Sequence, residues 1–527
     1  MKIALAQLNY TVGDVEGNAC KIIETIRQVK AQGADLVVFA EQAISGAPAF
    51  DLLRKYRFLE QCEDALRRIA AECDTVDAIV GLPYLTPEGP VSAAAVIERG
   101  RVVRYVGKQG VIVRRELGFL TPSKGCEYVT LRGHRCALVV GEDLYHTADF
   151  DQSVETIIDI TARRYRKGDL SRRYEIIRNI AYVNGKNVVM VNQVGGATEV
   201  VYDGMSGVMN GRGELVMLLK GFEEEVRMFD TERMEHPVES VPVSSKDRTR
   251  FVWKAAVCGL RDFFVKNGYR KACVGVSGGI DSAVVACLAV SALGRENVRG
   301  LMMPSQFSPE SSVEDAKCLA ENLGIDFDVV PISEAYRSVV DTLIPVIGGT
   351  DFDQTEENIQ ARIRTLMLMA LQNKSDCVLL NSSNKSENAL GLCTLYGDTA
   401  GAFSVTGDLY KTEIYDLARF INREIGAVIP EAILTKEPSS ELHPGQKDSD
   451  ILPPYEVVDA ILYRMIEEGQ PREEIINAGF DCDQVQQIYD MVMGSEKKRF
   501  QYPPVLRLSA CSFGHEYRMP LTHKYGK

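Results

Sequence analysis

From its first residues the chain alternates apolar runs of strand length with stretches of helical period. "KIALAQL" is followed by a helix pattern over Asn18–Gln32, "ADLVVFAE" by one over Leu59–Glu72, and then come "VDAIVGLPYL" and "AAAVIERGRVVRYVGK". Short apolar runs bounded by turn residues predict buried strands, and the 3.6-residue periodicity predicts helices packed over them. "RCALVVGEDLYHTAD", Arg135–Asp149, runs apolar and then opens at Gly141-Glu142-Asp143, as a buried strand does when it delivers its end to a site. A helix near Arg172–Asn184 and the strands "NVVMVNQV" and "ELVMLLK" follow. Over Arg233–Arg250 the periodicity disappears while proline, serine and charge accumulate, which predicts a linker before the helix "FVWKAAVCGLRDFFVKNG". The expected organisation is a first domain over 1–240, a connection at 241–250 and a second domain over 251–527, all layered α/β.

The totals agree with two ordinary cores. A chain of 527 residues is too long for one hydrophobic centre. A formal charge of −13 argues against a nucleic-acid surface, so any anionic ligand must be held by local groups. The thirteen cysteines form no CxxC pair or close Cys/His cluster, which suits reduced thiols in a reducing compartment. No apolar stretch approaches the roughly 18 residues of a membrane span, and "MKIALAQLNY" alternates like a strand rather than a signal peptide. A cytosolic protein with no membrane partner is expected.

Chemistry is densest in "KACVGVSGGIDSAVVACLAV", Lys271–Val290. A strand, "ACVGV", runs into Ser277-Gly278-Gly279-Ile280-Asp281-Ser282 and then into an Ala/Val-rich helix. Two glycines let backbone N–H groups converge, and the helix N-terminus adds partial positive charge, an arrangement that holds an anion such as pyrophosphate. Ser277 and Ser282 can add hydroxyl donors, and Asp281 can carry a divalent metal onto the phosphates. The GxxxxGK[ST] lysine of a Walker loop is absent, and GxGxxG does not match.

The string resembles the SGGxDS loop of the ATP pyrophosphatase (PP-loop) family, which cleaves ATP to AMP and pyrophosphate. Asparagine, GMP and NAD synthetases and tRNA-thiolating enzymes share that loop. The segments beyond it narrow the choice. "TEENIQARIRTLMLMALQN" (Thr355–Asn373), where "PEENIQARIR" is the usual opening, precedes "NSSNKSENALGLCTLYGDTAGAFSVTGDLYKTEIYDLAR" (Asn381–Arg419); "KEPSSELHPGQKDSD" and "KKRFQYPPVLRLS" come after. In order and over nearly all of Phe251–Lys527 these resemble the synthetase domain of the glutamine-dependent NAD synthetase family. The resemblance implies a Rossmann-like parallel sheet flanked by helices, of the adenine nucleotide alpha hydrolase kind. It implies that Asp281 and Glu387 share Mg²⁺. ATP falls to Ser277, Gly278, Gly279, Ile280, Asp281, Ser282, Ser382, Lys411 and Ser439. Deamido-NAD falls to Asn358, Arg362, Glu387, Leu392, Tyr396, Gly397, Asp398 and Lys498. Taken singly, Lys411 and Lys498 read as solvated charges; their place inside matching motifs gives them a role. "NSSN" stands where "GTGN" is commoner, which exchanges one hydroxyl for another at Ser382. The implied reaction is adenylation of the nicotinate carboxylate by ATP and displacement of AMP by ammonia, giving NAD.

The first half, over roughly Met1–Glu235, resembles the nitrilase-type amidase domain that such synthetases carry to release ammonia from glutamine, an α-β-β-α sandwich. "KIALAQLNYTVGDVEGN", "VVFAEQAISGAPAFDLL", "VNQVGG" and "VVYDGMSGVM" carry the likeness. These domains use a Glu base, an oxyanion-stabilising Lys and a Cys nucleophile in a "CED"-type strand end. Glu41 stands at the first position and Lys108 at the second, but "VVGEDLY" supplies Gly141 at the third. Cys136, an odd number of residues upstream, points to the other face of its strand; Cys126, in an approach loop, stays open as a substitute thiol. Two further departures accompany Gly141. "KQGVIVRRELGF" is a shortened loop that brings Arg114 near an expected acidic position, and "ITARRYRKGD" sets Arg163 and Arg164 where a small, Ser-rich segment would recognise glutamine. Loss of the nucleophile alone should lower glutamine turnover on the order of 10⁶-fold. The expectation is an NAD synthetase using free ammonia or ammonia from a separate protein, with ATP and Mg²⁺ and as a homo-oligomer, whose Glu41 and Lys108 remain as a buried ion pair. Two alternatives stand beside it: a competent glutamine-dependent enzyme with an unforeseen nucleophile, and a non-catalytic nucleotide-binding scaffold.

Overall fold

A computed structural model describes residues 1–110, 118–147, 149–233, 237, 245–348 and 352–524. The chain divides into two compact units, Met1–Asp247 and Arg248–Lys527. The helix opening the second half begins at Ser245 rather than Phe251 and runs to Asn267, so it absorbs the end of the predicted linker. Asp247 in its first turn suits the positive helix N-terminus and explains why the charged approach is helical. Arg114 falls outside the described residues. Among the described residues, no helix is long and apolar enough to cross a membrane.

The amino-terminal unit holds two six-stranded sheets and a small hairpin. In the first sheet the strands Lys2–Gln7, Leu36–Phe39 and Asp77–Thr86 lie side by side in parallel. In the second, His134–Val140, Thr156–Thr161 and Asn187–Asn192 do the same. The predicted element "AAAVIERGRVVRYVGK" is two strands, Gly89–Glu98 and Arg101–Gly107. Arg99 and Gly100 between them both take positive φ, the conformation that lets a two-residue turn follow the twist of its strands.

Period-two alternation decides what each sheet buries. Leu5, Leu36, Val38, Ile79 and Val96 of one sheet meet Leu138, Val140, Ile158, Val189 and Val191 of the other. The opposite face of the first sheet, with Val37, Phe39, Ala78 and Val80, takes helices Val15–Ala31 and Tyr56–Ala71 through Ile22, Ile26, Leu66 and Ile69. Helix Asp169–Asn184 packs on the second sheet, completing the α-β-β-α sandwich. The hairpin Val194–Ala197 with Val200–Asp203 lies at one end of it.

The carboxy-terminal unit is built on one five-stranded sheet, every pair parallel. Its order is Asp326–Val329, Val298–Met302, Lys271–Gly275, Cys377–Asn381, Phe403–Ser404. From the central strand Lys271–Gly275 the chain moves outward on one side and then returns to Cys377–Asn381 on the other. Such a reversal leaves a crevice beyond the strand ends, the usual binding place in an open parallel sheet. A separate helical core of Val458, Ile461, Leu462, Ile475, Ile488 and Val492 lies beside it.

Candidate functional site

The crevice is a cavity of about 280 Å³. Its walls come from both strands that flank the reversal. Ser277, Gly279, Ile280, Asp281 and Ser282 follow the central strand, while Ser382, Ser383 and Glu387 follow Cys377–Asn381. Leu301, Met303, Leu368 and Leu379 supply an apolar side, and Lys411, Ser439, Gly397 and Asp398 also line the space.

The loop is shaped for a backbone grip. Gly278 has φ +79°, and a Cβ there would stand 2.3 Å from the Ser312 carbonyl oxygen, so no side chain fits. The Ser277 and Ser282 hydroxyls lie 3.2 Å apart, Ser282 Oγ donates to the Gly279 carbonyl, and the Gly279 amide donates to Ser277 Oγ. The turn is thus fixed before helix Ile280–Leu293 begins, and the helix presents its N-terminus to the cavity.

Three charged groups converge beside it. Lys411 Nζ lies 2.5 Å from Asp281 Oδ2 and 3.4 Å from Glu387 Oε1. Burial and then the neighbouring Asp281 push the Glu387 carboxyl up to about 8, with Lys411 opposing them. Burial works against the Lys411 charge, but the two carboxylates outweigh it and hold the amine above lysine's usual value. Asp281 and Glu387 face one opening with carboxylate oxygens, the donor type that divalent cations take.

Asn384 belongs to this centre although sequence reasoning passed over it. Its side chain caps helix Lys385–Leu390, accepting from the Glu387 amide at 3.0 Å, and donates to Asp281 Oδ1 at 2.8 Å. The N-x-x-E spacing of a capping box was the available signal. Arg364 was also missed. It lines the cavity and donates through Nε to the Met303 carbonyl at 3.0 Å, two positions along the helix from Arg362. Asp448 lines the same space and accepts from the Tyr455 hydroxyl at 2.8 Å.

The remaining sequence-predicted residues gather on the loop after helix Lys385–Leu390. Arg362 Nε donates to the Leu395 carbonyl, Asn358 Oδ1 accepts from the Thr394 hydroxyl, and Asp398 Oδ1 accepts from the Thr394 amide. Lys498 Nζ donates to the carbonyls of Gly391 and Cys393 at 2.6 and 2.8 Å. Tyr396 is exposed, at φ +63°, and its hydroxyl donates to Gln501. Loss of hydration at its carboxyl raises Asp398 to about 6, with the Thr394 amide and Lys498 opposing, while the residue as a whole is exposed and the shift correspondingly weakened by solvent. Leu392 packs against the helical core, and the Ser439 hydroxyl turns into its own loop to donate to the Gln446 carbonyl at 2.6 Å.

Behind Glu387 the framework is buried and polar. Lys385, fully buried, lies 2.9 Å from Asp408 and 2.5 Å from Glu467, and also donates to Ser509 Oγ and the Cys511 carbonyl. Asp408 in turn accepts from the amides of Leu508 and Ser509 and from the Ser512 hydroxyl.

In the amino-terminal unit Glu41 and Lys108 meet at the end of strand His134–Val140. Lys108 Nζ lies 3.3 Å from Glu41 Oε1 and 2.6 Å from Glu142 Oε2. Glu41 also accepts from Ser92 Oγ and the Ala162 amide. Gly141 has φ +63°, and a Cβ there would stand 2.9 Å from both Glu41 Oε2 and Lys108 Nζ. Asp159 is buried beside them, and among the described residues its Oδ1 has no hydrogen-bond partner. Burial, then Glu41 and Glu142, hold its carboxyl well above the usual range against Arg163 and Lys108. Arg163 bonds Asp169 at 2.9 Å and lies over the Tyr145 ring at 4.6 Å, and Arg164 is buried. Cys136 packs between the sheets with Leu138 and Val140. The Cys126 thiol is pushed up to about 11 by burial and by the charges of Asp143 and Glu127.

Residues 252–502 match the NAD synthase family and residues 2–110 the carbon–nitrogen hydrolase family. The glutamine-dependent NAD(+) synthetase of Aquifex aeolicus is 39% identical over 569 aligned positions that cover all of both chains. Its counterpart from Thermotoga maritima is 36% identical, with 100% of this chain and 99% of the other covered. Among solved structures, the glutamine-dependent NAD+ synthetase of Acinetobacter baumannii in complex with adenosine diphosphate superposes with a TM-score of 0.78 at 32% identity, covering 99% of this chain and 98% of its own. The Cytophaga hutchinsonii glutamine-dependent NAD(+) synthetase shares the fold, with a TM-score of 0.86 at 19% identity over 100% of this chain and 98% of that one. With such identity sustained over its full length, the chain belongs to the glutamine-dependent NAD(+) synthetase family.

Proposed function

We propose that this NAD synthetase adenylates the nicotinate carboxylate of deamido-NAD with ATP and amidates it with ammonia that its own amidase unit does not release. The observation that carries the synthetase chemistry is the convergence of Asp281, Glu387 and Lys411 on a cavity floored by the Ser277–Ser282 loop. A carboxylate is a poor acyl donor. Transfer of AMP to it breaks the bond between the α- and β-phosphates, and ammonia then attacks the activated carbonyl carbon as AMP leaves.

Each step builds or moves negative charge that the chain can meet. The loop backbone and the N-terminus of helix Ile280–Leu293 hold the departing pyrophosphate. The Lys411 ammonium, charged because two carboxylates face it, neutralises phosphate oxygens as the bond breaks. Asp281 and Glu387 are the residues that would hold Mg²⁺, which supplies Lewis-acid charge to the phosphates when bound. The apolar wall of Leu301, Met303, Leu368 and Leu379 suits a purine ring and keeps water from that side. The loop Gly391–Thr399 is buttressed by Arg362 and Lys498, and in this reading the second nucleotide falls to it.

The amino-terminal unit supports the loss of glutaminase activity. Glu41 and Lys108 persist, yet the strand end they face carries Gly141, which offers no nucleophilic atom. A second reading draws on the relatives, which are named glutamine-dependent. It would need another thiol, and Cys126 is held protonated rather than activated.

One comparison decides between them. The purified chain is given deamido-NAD, ATP and Mg²⁺ with either ammonium or glutamine, and NAD, pyrophosphate and glutamate are measured. Turnover with ammonium and almost none with glutamine is expected. Glutamate release that thiol alkylation abolishes would establish the second reading. ATP binding with no pyrophosphate release would make the protein a nucleotide-binding scaffold.

A further inference from the structure

Glu387 and Lys411 stand on two different short helices, Lys385–Leu390 and Lys411–Phe420, and Lys411 meets both Glu387 and Asp281. A helix start leaves amide groups without intrahelical acceptors, and the side chain of the preceding residue usually satisfies one. Tyr410 precedes the Lys411 helix, and a phenol is not among the side chains suited to that task. The acceptors come from elsewhere. The Lys411 amide donates to Ser386 Oγ at 2.9 Å, and the Thr412 amide donates to Asp459 Oδ2 at 2.8 Å. Ser386 Oγ itself donates to Asp459 Oδ1 at 2.5 Å. Both side chains, Ser386 and Asp459, are buried.

We propose that Asp459, on helix Tyr455–Ile466, is a positioning residue that locks the Glu387 and Lys411 helices in register through Ser386, so that both groups face Asp281. The proposal rests on the adenylation reading above. The sequence neighbour of Glu387 caps the helix that begins with Lys411, and one carboxylate binds both halves of that joint. Sliding either helix breaks a bond to Asp459 before it moves a catalytic group, so the joint sets the spacing of the reactive charges. Asp459 stands outside the lining of the cavity, and its effect passes through the two groups it aligns.

The full-length chain is assayed for pyrophosphate release with ATP, deamido-NAD, Mg²⁺ and ammonium. Asp459→Ala is expected to lower kcat about 100-fold, the size of effect a displacement near 1 Å produces, with the KM for deamido-NAD within about threefold. Asp459→Asn keeps one acceptor oxygen and is expected to regain about tenfold of that loss. Ser386→Ala is expected to lower kcat at least about tenfold, and its combination with Asp459→Ala should be no worse than Asp459→Ala alone, because the two act as a unit. A role in folding only would lower the thermal midpoint and leave kcat per folded molecule unchanged, and that result overturns the proposal. So do losses in the double variant that multiply. Should Asp459→Ala fail to fold, Ser386→Ala, which removes one oxygen, decides the matter by its kcat. A parent enzyme that releases no pyrophosphate overturns the adenylation reading instead, so the two failures are distinguishable.

Discussion

The side-chain amide of Asn384 donates to Asp281 at 2.8 Å, joining segments 103 residues apart in the chain. The same side chain accepts from the Glu387 amide, and the Asn384 backbone N–H donates to the Glu387 carboxylate at 3.3 Å, so the capping residue bridges the two carboxylates of the centre.

Changing Asn384 should therefore cost more in turnover than in stability. Asn384→Ala removes a cap that contributes about 1 kcal/mol to stability. It also frees Asp281, and pyrophosphate release should fall about 100-fold. Asn384→Asp should be worse, since it sets a third negative charge against Asp281. Equal activity in the two variants would show that the lost hydrogen bond, and not the added charge, sets the cost.

Placing a sulfur at position 141 should not give glutamine use. Gly141→Cys must hold a non-glycine residue at φ +63° and force Glu41 and Lys108 from positions 2.9 Å from the new Cβ. Strain of about 1–3 kcal/mol is expected, read as a lower thermal midpoint. Glutamate release should stay at background, and glutaminase activity in this variant would show that the pocket can reopen around a thiol.

Asp159 predicts a pH dependence. Its buried carboxyl binds a proton more tightly in the folded chain than in the unfolded one. The stability tied to that proton is full below the unfolded carboxylate value near 3.9, and is lost at about 1.4 kcal/mol per pH unit as pH rises towards the raised folded value. Asp159→Asn carries a neutral group at every pH. Its thermal midpoint should exceed the parent's at pH 8, and the advantage should shrink as pH falls to 5. An advantage that does not change with pH would mean that Asp159 is not protonated in the fold.

Local signals in the chain were enough for many of the strands and helices and for the strand–loop–helix turn at Ser277–Ser282. Gly278 and Gly279 between a strand and a helix announce a backbone grip, and the crevice lies where the sheet reverses direction. Contacts between distant segments were not legible. Asp459 and Ser386, or the buried Arg173–Asp203 ion pair at 2.9 Å, are ordinary polar residues until the fold brings them together. Arg364 could not be told from Arg362, because both lie in one helical string and only the packing decides which faces the cavity. The hairpin turn at Arg99-Gly100 was hidden because arginine seldom takes positive φ.

The bond from Lys385 to Ser509 spans 124 residues, and Asp408 is closed off by Leu508, Ser509 and Ser512. During synthesis the segment carrying Glu387 leaves the ribosome long before those serines exist. Until they arrive, Lys385 has no finished cradle, and a nascent or truncated product would lack the support behind its acidic helix. The helix that carries Glu387 is thus seated against chain made 124 residues later, and a product cut before Leu508 would hold that helix without its buried polar support.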